Sequence, residues 1–288
     1  MRRINGVFYA MLSAAAFGVM PILAKIAYKG GVNAVTVLAF RFLFAAIMIF
    51  PLMIVKKISF EINKKELRDV FIFGGGSYAV GCLTLFLAYN YMSVGLATTM
   101  HFIYPIVVTI ISVIFFKEKL KKPKIFALIF SCIGIYLLVG GGKENLAPVG
   151  VFFAIISGIF YSFYIISAGH SSIGKMDVFC ATFYLSIASS SILFISAICT
   201  GSLVTAIKAQ SIVAILGISF ISTVIALMAF LKGVKIIGAS NAAVLSTLEP
   251  IVSLILGVII LKEKLTPIII FGSILILISV VIITLGEK

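Results

Sequence analysis

Long runs of apolar residues, separated by short polar breaks, make up most of the sequence. A helix needs about 20 apolar residues to cross the hydrocarbon core of a membrane. Ten stretches meet that length, at about 4–28, 32–55, 70–92, 95–117, 124–141, 148–168, 177–200, 210–232, 238–261 and 267–285. The runs are continuous rather than alternating, which argues against membrane-spanning strands. The pattern therefore predicts an all-α integral membrane protein with ten transmembrane helices.

Two pairs of segments repeat each other at a nearly constant distance. Residues 105–120 read PIVVTIISVIFFKEKL and residues 250–265 read PIVSLILGVIILKEKL, so ten of sixteen positions are identical. Residues 6–13, GVFYAMLS, return at 150–157 as GVFFAIIS. We interpret the chain as two copies of one unit of about 144 residues.

Each predicted copy contains five helices. Because five is an odd number, the second copy, residues 143–288, must enter the membrane in the opposite orientation to the first, residues 1–142. An inverted repeat is typical of secondary transporters, whose substrate sites lie near the midplane where the repeats meet.

Composition and charge fit this interpretation. Apolar residues make up 62% of the chain and charged residues 11%, whereas a soluble domain has about half and a quarter. The four cysteines lie in apolar runs without a CxxC pair, which predicts free, buried thiols rather than a disulfide or metal framework. No cofactor is expected.

The net charge of +14 would suit nucleic acid in a soluble protein, but in a membrane chain basic residues concentrate in cytoplasmic loops. With the N-terminus placed inside, sixteen Lys and Arg residues fall in inner loops and tails and five in outer loops. The bias predicts cytoplasmic N- and C-termini in a bacterial-type cell membrane, with the lipid bilayer rather than nucleic acid as partner.

The chain resembles the EamA branch of the drug/metabolite transporter superfamily over nearly its whole length. The resemblance rests on Pro-x(12)-Glu at the ends of the fourth and ninth helices (Pro105 with Glu118, Pro250 with Glu263), on Phe40-Arg41-Phe42, and on Glu249-Pro250. It implies a ten-helix bundle with a central cavity lined by helices 1, 3, 4, 6, 8 and 9, which exports small metabolites or amino acids.

Glu249 and Arg41 are the charged residues expected deepest in the membrane. Glu249 lies about ten residues from either end of its span, which is too deep for its side chain to reach water. A carboxylate there costs several kcal/mol unless it is paired or protonated, so Glu249 suits either proton coupling or a fixed structural pair. Arg41 would either pair with Glu249 or bind a substrate carboxylate.

Other polar residues share helix faces with these groups. Pro105 and Pro250 predict helix breaks that free a backbone carbonyl for a neighbouring helix or a watered cavity, although a simple packing kink is the alternative. The predicted substrate-binding residues are Tyr78, His101, Tyr104, Tyr161, Tyr164, Ser246 and Glu249. A packing role for His101 is the competing interpretation.

The predicted function is that of a secondary active transporter that exports small metabolites, most simply amino acids or related amphipathic compounds, by alternating access. A multidrug or organic-cation exporter is the alternative. A membrane enzyme would need a nucleophile with its base or a metal cluster, which two histidines and scattered serines do not supply. A passive channel fits an odd inverted repeat less naturally. Protons are the candidate coupling ion, and both a monomer and a homodimer are compatible with the sequence.

Overall fold

The computed structural model describes residues 2–91, 94–139, 147–261 and 267–285, and every regular element within these ranges is helical. The α-helices are α1 (Arg2–Gly18), α2 (Met20–Lys29), α3 (Ala34–Val55), α4 (Lys64–Asp69), α5 (Ser77–Ala88), α6 (Val94–His101), α7 (Tyr104–Phe116), α8 (Lys122–Val139), α9 (Pro148–His170), α10 (Val178–Cys199), α11 (Ala209–Ser219), α12 (Ala226–Ile237), α13 (Ala239–Leu245), α14 (Glu249–Leu261) and α15 (Pro267–Leu285). The predicted all-α fold is confirmed for this part of the chain. Glu263 and the other residues of the KEKL sequence that ends the second repeated segment, 262–265, lie outside the described residues.

Six helical stretches are long and apolar enough to cross a membrane: Arg3–Lys29, Ala34–Val55, Lys64–Ala88, Pro148–His170, Val178–Cys199 and Ala209–Ile237. The other four predicted spans are also helical in their described parts. Two of them, α6 with α7 and α13 with α14, are interrupted, while α8 and α15 border residues outside the described ranges. A total of ten spans therefore stays a prediction.

Polar residues cap several helices at the breaks between apolar runs. Asn33 accepts a hydrogen bond from Thr36 N at the start of α3, and Asp177 accepts from Phe179 N at the start of α10. Asn63 and Glu66 form a reciprocal capping box on α4. Such caps satisfy backbone N–H groups that have no partner within the helix, so the polar breaks fix where these helices begin.

Helices from the two predicted copies pack against each other in matching pairs. The first helix of the first copy, α1, packs on α12, and the equivalent α9 packs on α5. The helices α3 and α10, which occupy equivalent positions, pack together, as do α8 and α15. Gly81 lets α5 approach α9 closely, because a Cβ at Gly81 would lie 3.2 Å from Ser157 O.

Several helices are interrupted near their middle. A turn at Val19 separates α1 from α2, a turn at 102–103 separates α6 from α7, and a short 3₁₀ helix, Ser246–Leu248, separates α13 from α14. The last two breaks lie directly before Pro105 and Pro250. Two π-helical segments, Val70–Gly76 and Phe220–Ile225, join α4 to α5 and α11 to α12, and the sequence pattern did not predict them.

Candidate functional site

A small cavity lies where three of these interruptions meet. Its volume is about 30 Å³, and it is lined by Phe17, Met20, Tyr78, Cys82, Leu85, Phe86, His101, Tyr161 and Glu249. Phe17 and Met20 flank the break at Val19, His101 ends α6, and Glu249 begins α14. A water needs about 10–15 Å³ of such space, so the cavity holds about two waters.

Glu249 is the charged side chain of this lining. The side chain of Glu249 is partly exposed. Its carboxyl makes no hydrogen bond and no ion pair within 4 Å with any residue in the described part of the chain. Its position in the first turn of α14 places the carboxyl at the positive end of that helix. The helix therefore gives some support to a negative charge that lacks a fixed counter-ion.

Arg41 lies beside the cavity in an enclosed site and is 0% exposed. Its Nε donates to Thr223 Oγ1 at 2.8 Å, and Nη2 donates to Tyr78 OH at 3.0 Å and to Ser222 O at 2.9 Å. Nη1 contacts Met20 Sδ at 3.1 Å. These contacts use four of the five N–H donors of a guanidinium. No ion pair within 4 Å joins Arg41 to Glu249, although the two charges interact at longer range, and Arg41 does not line the cavity.

Four tyrosines pack into one cluster beside the cavity. Tyr78 lies 4.6 Å from Tyr164 and 5.8 Å from Tyr161 between ring centroids, and Tyr104 lies 4.9 Å from Tyr161. All four side chains are buried; Tyr78 and Tyr161 line the cavity, whereas Tyr104 and Tyr164 contact these two rings without lining it. The structure thus brings all four together but divides them between the wall and its support.

His101 reaches the cavity from the interrupted fourth helix of the prediction. Its Nδ1 lies 2.8 Å from Ser157 Oγ, and its ring lies 5.1 Å from that of Tyr161. The backbones of α6 and α9 approach closely here, because a Cβ at Gly158 would lie only 2.6 Å from His101 O. A glycine at 158 is what this approach requires.

Ser246 and the two prolines support the site from outside. Ser246 is buried and donates to Ala242 O at 3.0 Å, so it does not reach the cavity. It lies near the Tyr104 hydroxyl. Pro105 and Pro250 each follow an interruption but are absent from the lining.

The sequence pattern missed five residues of the wall, which are Phe17, Met20, Cys82, Leu85 and Phe86. Three of them follow Tyr78 at spacings of four, seven and eight residues, so they share its face of α5. Extending the face of Tyr78 would have found them. Thr223 and Ser222, which hold Arg41, gave no such signal.

Interrupted apolar helices of membrane length that meet at an interior cavity with an ionisable side chain are typical of membrane transporters. The chain belongs to the EamA-like transporter family, whose model matches residues 4–140 and again residues 148–285. The resemblance seen in the sequence motifs is thereby confirmed.

Relatives across the length of the chain are also described as transporters. An uncharacterized transporter of Clostridium kluyveri is 22% identical over 96% of this chain and 92% of its own length. The uncharacterized transporter YcbK of Bacillus subtilis is 23% identical over 90% of this chain and 86% of its own. Solute carrier family 35 member G1 of Homo sapiens is 31% identical over 46% of this chain and 36% of its own.

One solved crystal structure matches the fold with a TM-score of 0.82. It is 14% identical to this chain, and the match covers 96% of this chain and 95% of that one. At this identity the likeness concerns the fold alone.

Proposed function

We propose that the protein is a secondary active transporter that exports small amphipathic metabolites, amino acids or related compounds, by alternating access. The observation that supports this proposal best is the composition of the cavity lining. Glu249, whose carboxyl has no hydrogen-bond or close ion-pair partner among the described residues, shares this lining with four phenylalanine and tyrosine rings. A bound substrate would place a basic group at Glu249 and an apolar body against Tyr161, Phe17 and Phe86.

The proposed architecture is ten transmembrane helices in two inverted repeats, residues 1–142 and 143–288, with both termini in the cytoplasm of a bacterial-type cell membrane. Support comes from the way in which helices of the two copies pack. The contact of α1 with α12 matches the contact of α9 with α5, and α3 packs on its own equivalent α10 as α8 packs on its equivalent α15. A two-fold relation between the halves would produce this pattern. Two such halves can rock against each other about a central site.

The proposed coupling ion is the proton. A charged carboxylate inside a membrane protein costs several kcal/mol without a partner, so Glu249 would hold either a proton or the basic group of a substrate. Occupancy by one would then exclude the other. Exchange of one proton for one substrate follows from that competition, and no nucleotide is required.

Contacts between distant segments close the bundle at the ends that carry the polar connections. Asp69 Oδ2 accepts from Ser172 Oγ at 2.7 Å, and Glu118 Oε1 lies 3.5 Å from His170 Nε2. At the other ends, Asn33 Nδ2 donates to Ser202 O. Alternating access would break one set of contacts while the other set stays closed.

Transport by the purified protein in liposomes tests the proposal. With an imposed pH gradient, we expect saturable uptake of labelled amino acids that is accelerated by unlabelled substrate on the opposite side, as only a carrier shows. Glu249→Gln should abolish the gradient-driven component, and Glu61→Gln, at an exposed position between α3 and α4, serves as the control. Unchanged gradient-driven uptake in Glu249→Gln would remove Glu249 from the mechanism, and uptake without counterflow would indicate a channel.

An organic-cation exporter is the second candidate, and the enclosure of Arg41 favours it. The Arg41 guanidinium donates hydrogen bonds to Thr223, Tyr78 and Ser222 and does not line the cavity. The lining therefore offers a carboxylate to a substrate cation but no guanidinium to a substrate carboxylate. A lipophilic cation without a carboxylate would be accommodated. Comparing uptake of an amine with uptake of the corresponding amino acid decides between the two candidates.

A further inference from the structure

The hydrogen bonds of Ser157 determine which nitrogen of His101 carries a proton. Ser157 is fully buried, its Oγ donates to Ala154 O at 2.7 Å, and the same Oγ lies 2.8 Å from His101 Nδ1. A serine hydroxyl has one proton. Two oxygen lone pairs without a proton between them would repel each other at 2.7 Å, so the proton lies between Ser157 Oγ and Ala154 O, and the hydroxyl oxygen accepts at its other contact. His101 Nδ1–H is therefore the donor.

The other ring nitrogen, Nε2, then has a defined character. A neutral imidazole carries one proton, so a proton on Nδ1 leaves a lone pair on Nε2. No described residue donates a hydrogen bond to Nε2. His101 and Glu249 both line the same cavity of about 30 Å³, so that space is bordered by two residues on different helices that can each accept a hydrogen bond.

Tyr78 has the opposite character for a similar reason. Its hydroxyl oxygen accepts from Arg41 Nη2 at 3.0 Å, which leaves its own proton to donate. Buried neighbours thus set the polarity of both aromatic residues: Arg41 makes Tyr78 a donor, and Ser157 makes His101 an acceptor. A largely apolar lining thus carries a few polar groups whose hydrogen-bonding character is set by buried neighbours.

The internal repeat shows that this serine–histidine pair is a local feature. At the offset seen in the two repeated segments, Ser157 corresponds to Ser13 and His101 corresponds to Ser246. Ser13 is buried as well, but its Oγ has no hydrogen-bond partner among the described residues. General packing of the two copies therefore does not require the pair.

We propose that Ser157 is a positioning residue that holds His101 as an acceptor, so that Glu249 and His101 Nε2 together bind a primary ammonium group. An ammonium has three N–H donors, and the adjacent ring of Tyr161 attracts a cation. This inference rests on the proposed function, since it names the substrate group that the same cavity recognises. A quaternary ammonium satisfies Glu249 by charge but has no N–H to give to His101.

The tautomer can be measured without any substrate. The chain has two histidines, so ¹⁵N imidazole spectra of the full-length protein in nanodiscs, compared with those of His170→Asn, identify the signals of His101. We expect the Nδ1–H tautomer in the wild type, a shift to Nε2–H in Ser157→Ala, and recovery in Ser157→Thr. Ser167→Ala is the matched control, because Ser167 on the same helix makes the same type of bond, to Tyr164 O at 2.7 Å. The Nε2–H tautomer in the wild type would overturn the proposal even if no variant folds.

The second measurement compares phenethylamine with its N,N,N-trimethyl analogue by titration of the same samples. One hydrogen bond to a charged donor contributes about 10- to 150-fold in affinity. We expect the ratio of the two affinities to fall by about that factor in Ser157→Ala and to stay constant in Ser167→Ala. An unchanged ratio in Ser157→Ala overturns the assignment of the ammonium to His101.

These outcomes separate the inference from the function on which it rests. If amines are transported but the tautomer or the ratio contradicts expectation, the inference fails and the transporter stands. If neither probe binds while His101 is the Nδ1–H tautomer, Ser157 acts as inferred on the ring, but the ammonium site is refuted. The proposed transport function is then judged by the uptake of amino acids in liposomes.

Discussion

Replacing Arg41 with lysine should destabilise the protein more than replacing it with methionine. The guanidinium reaches Thr223 Oγ1, Tyr78 OH and Ser222 O from different edges of one plane, which a single ammonium nitrogen cannot do. Lysine would keep the buried charge and lose two charge-assisted hydrogen bonds of about 1.5–3 kcal/mol each, a total of about 3–6 kcal/mol. Methionine loses all three bonds but also removes the charge, so about 1–3 kcal/mol for neutral partners left unpaired is expected.

Thermal unfolding in detergent, followed with a thiol-reactive dye, measures this order because Cys82 and Cys180 are buried in the folded protein. Arg68→Lys is the control, since the Arg68 side chain is 58% exposed and its replacement should change little. An Arg41→Lys variant that unfolds like the wild type, yet loses affinity for solutes with a carboxylate, would refute the enclosed role. Arg41 would then contact substrate.

Three further predictions concern packing, closure and the cavity wall. Gly158→Ala should destabilise by about 1–3 kcal/mol, because its Cβ would meet His101 O at 2.6 Å; unfolding at the wild-type temperature would contradict the close approach. Asp69→Ala should raise the labelling rate of the Cys180 thiol by about fivefold, since it removes both bonds to Ser172; an unchanged rate would show that this contact does not hold the end closed. Tyr161→Phe should retain amine binding and Tyr161→Ala should weaken it by about tenfold in a titration, whereas equal loss in both would assign the effect to the hydroxyl.

Depth in the membrane made part of the site predictable from the sequence. A carboxylate ten residues from either end of an apolar run is expensive wherever the helix faces lipid, so Glu249 had to face the interior. Pro105 and Pro250 likewise required local interruptions, because proline cannot donate the backbone hydrogen bond. Periodicity placed Tyr78 and Tyr161 on inward faces. These arguments use only a residue's own helix.

The partners of Arg41 could not be predicted in the same way. Thr223 and Ser222 are more than 180 residues away in sequence. Both lie in the π-helical segment Phe220–Ile225, which the sequence pattern did not predict. Glu249 was the expected partner because it is the other deep charge. Neutral acceptors satisfied the guanidinium instead, and a hydroxyl or a carbonyl in an apolar helix is too common to be singled out from sequence.

The interruptions and the cavity have a common physical cause. Breaking a helix leaves backbone N–H and C=O groups without their usual partners, which membrane proteins tolerate only against other protein or a watered space. Three broken helices therefore have to meet at an interior site rather than at lipid, and here they meet at Val19, at 102–103 and at Ser246–Leu248. Each break contributes a wall residue at or beside it: Met20, His101 or Glu249. The same feature that frees the backbone thus positions the ionisable groups. A substitution that restored a continuous helix at any of these three interruptions would restore the hydrogen bonds within the helix, and it would also displace a residue of the cavity wall.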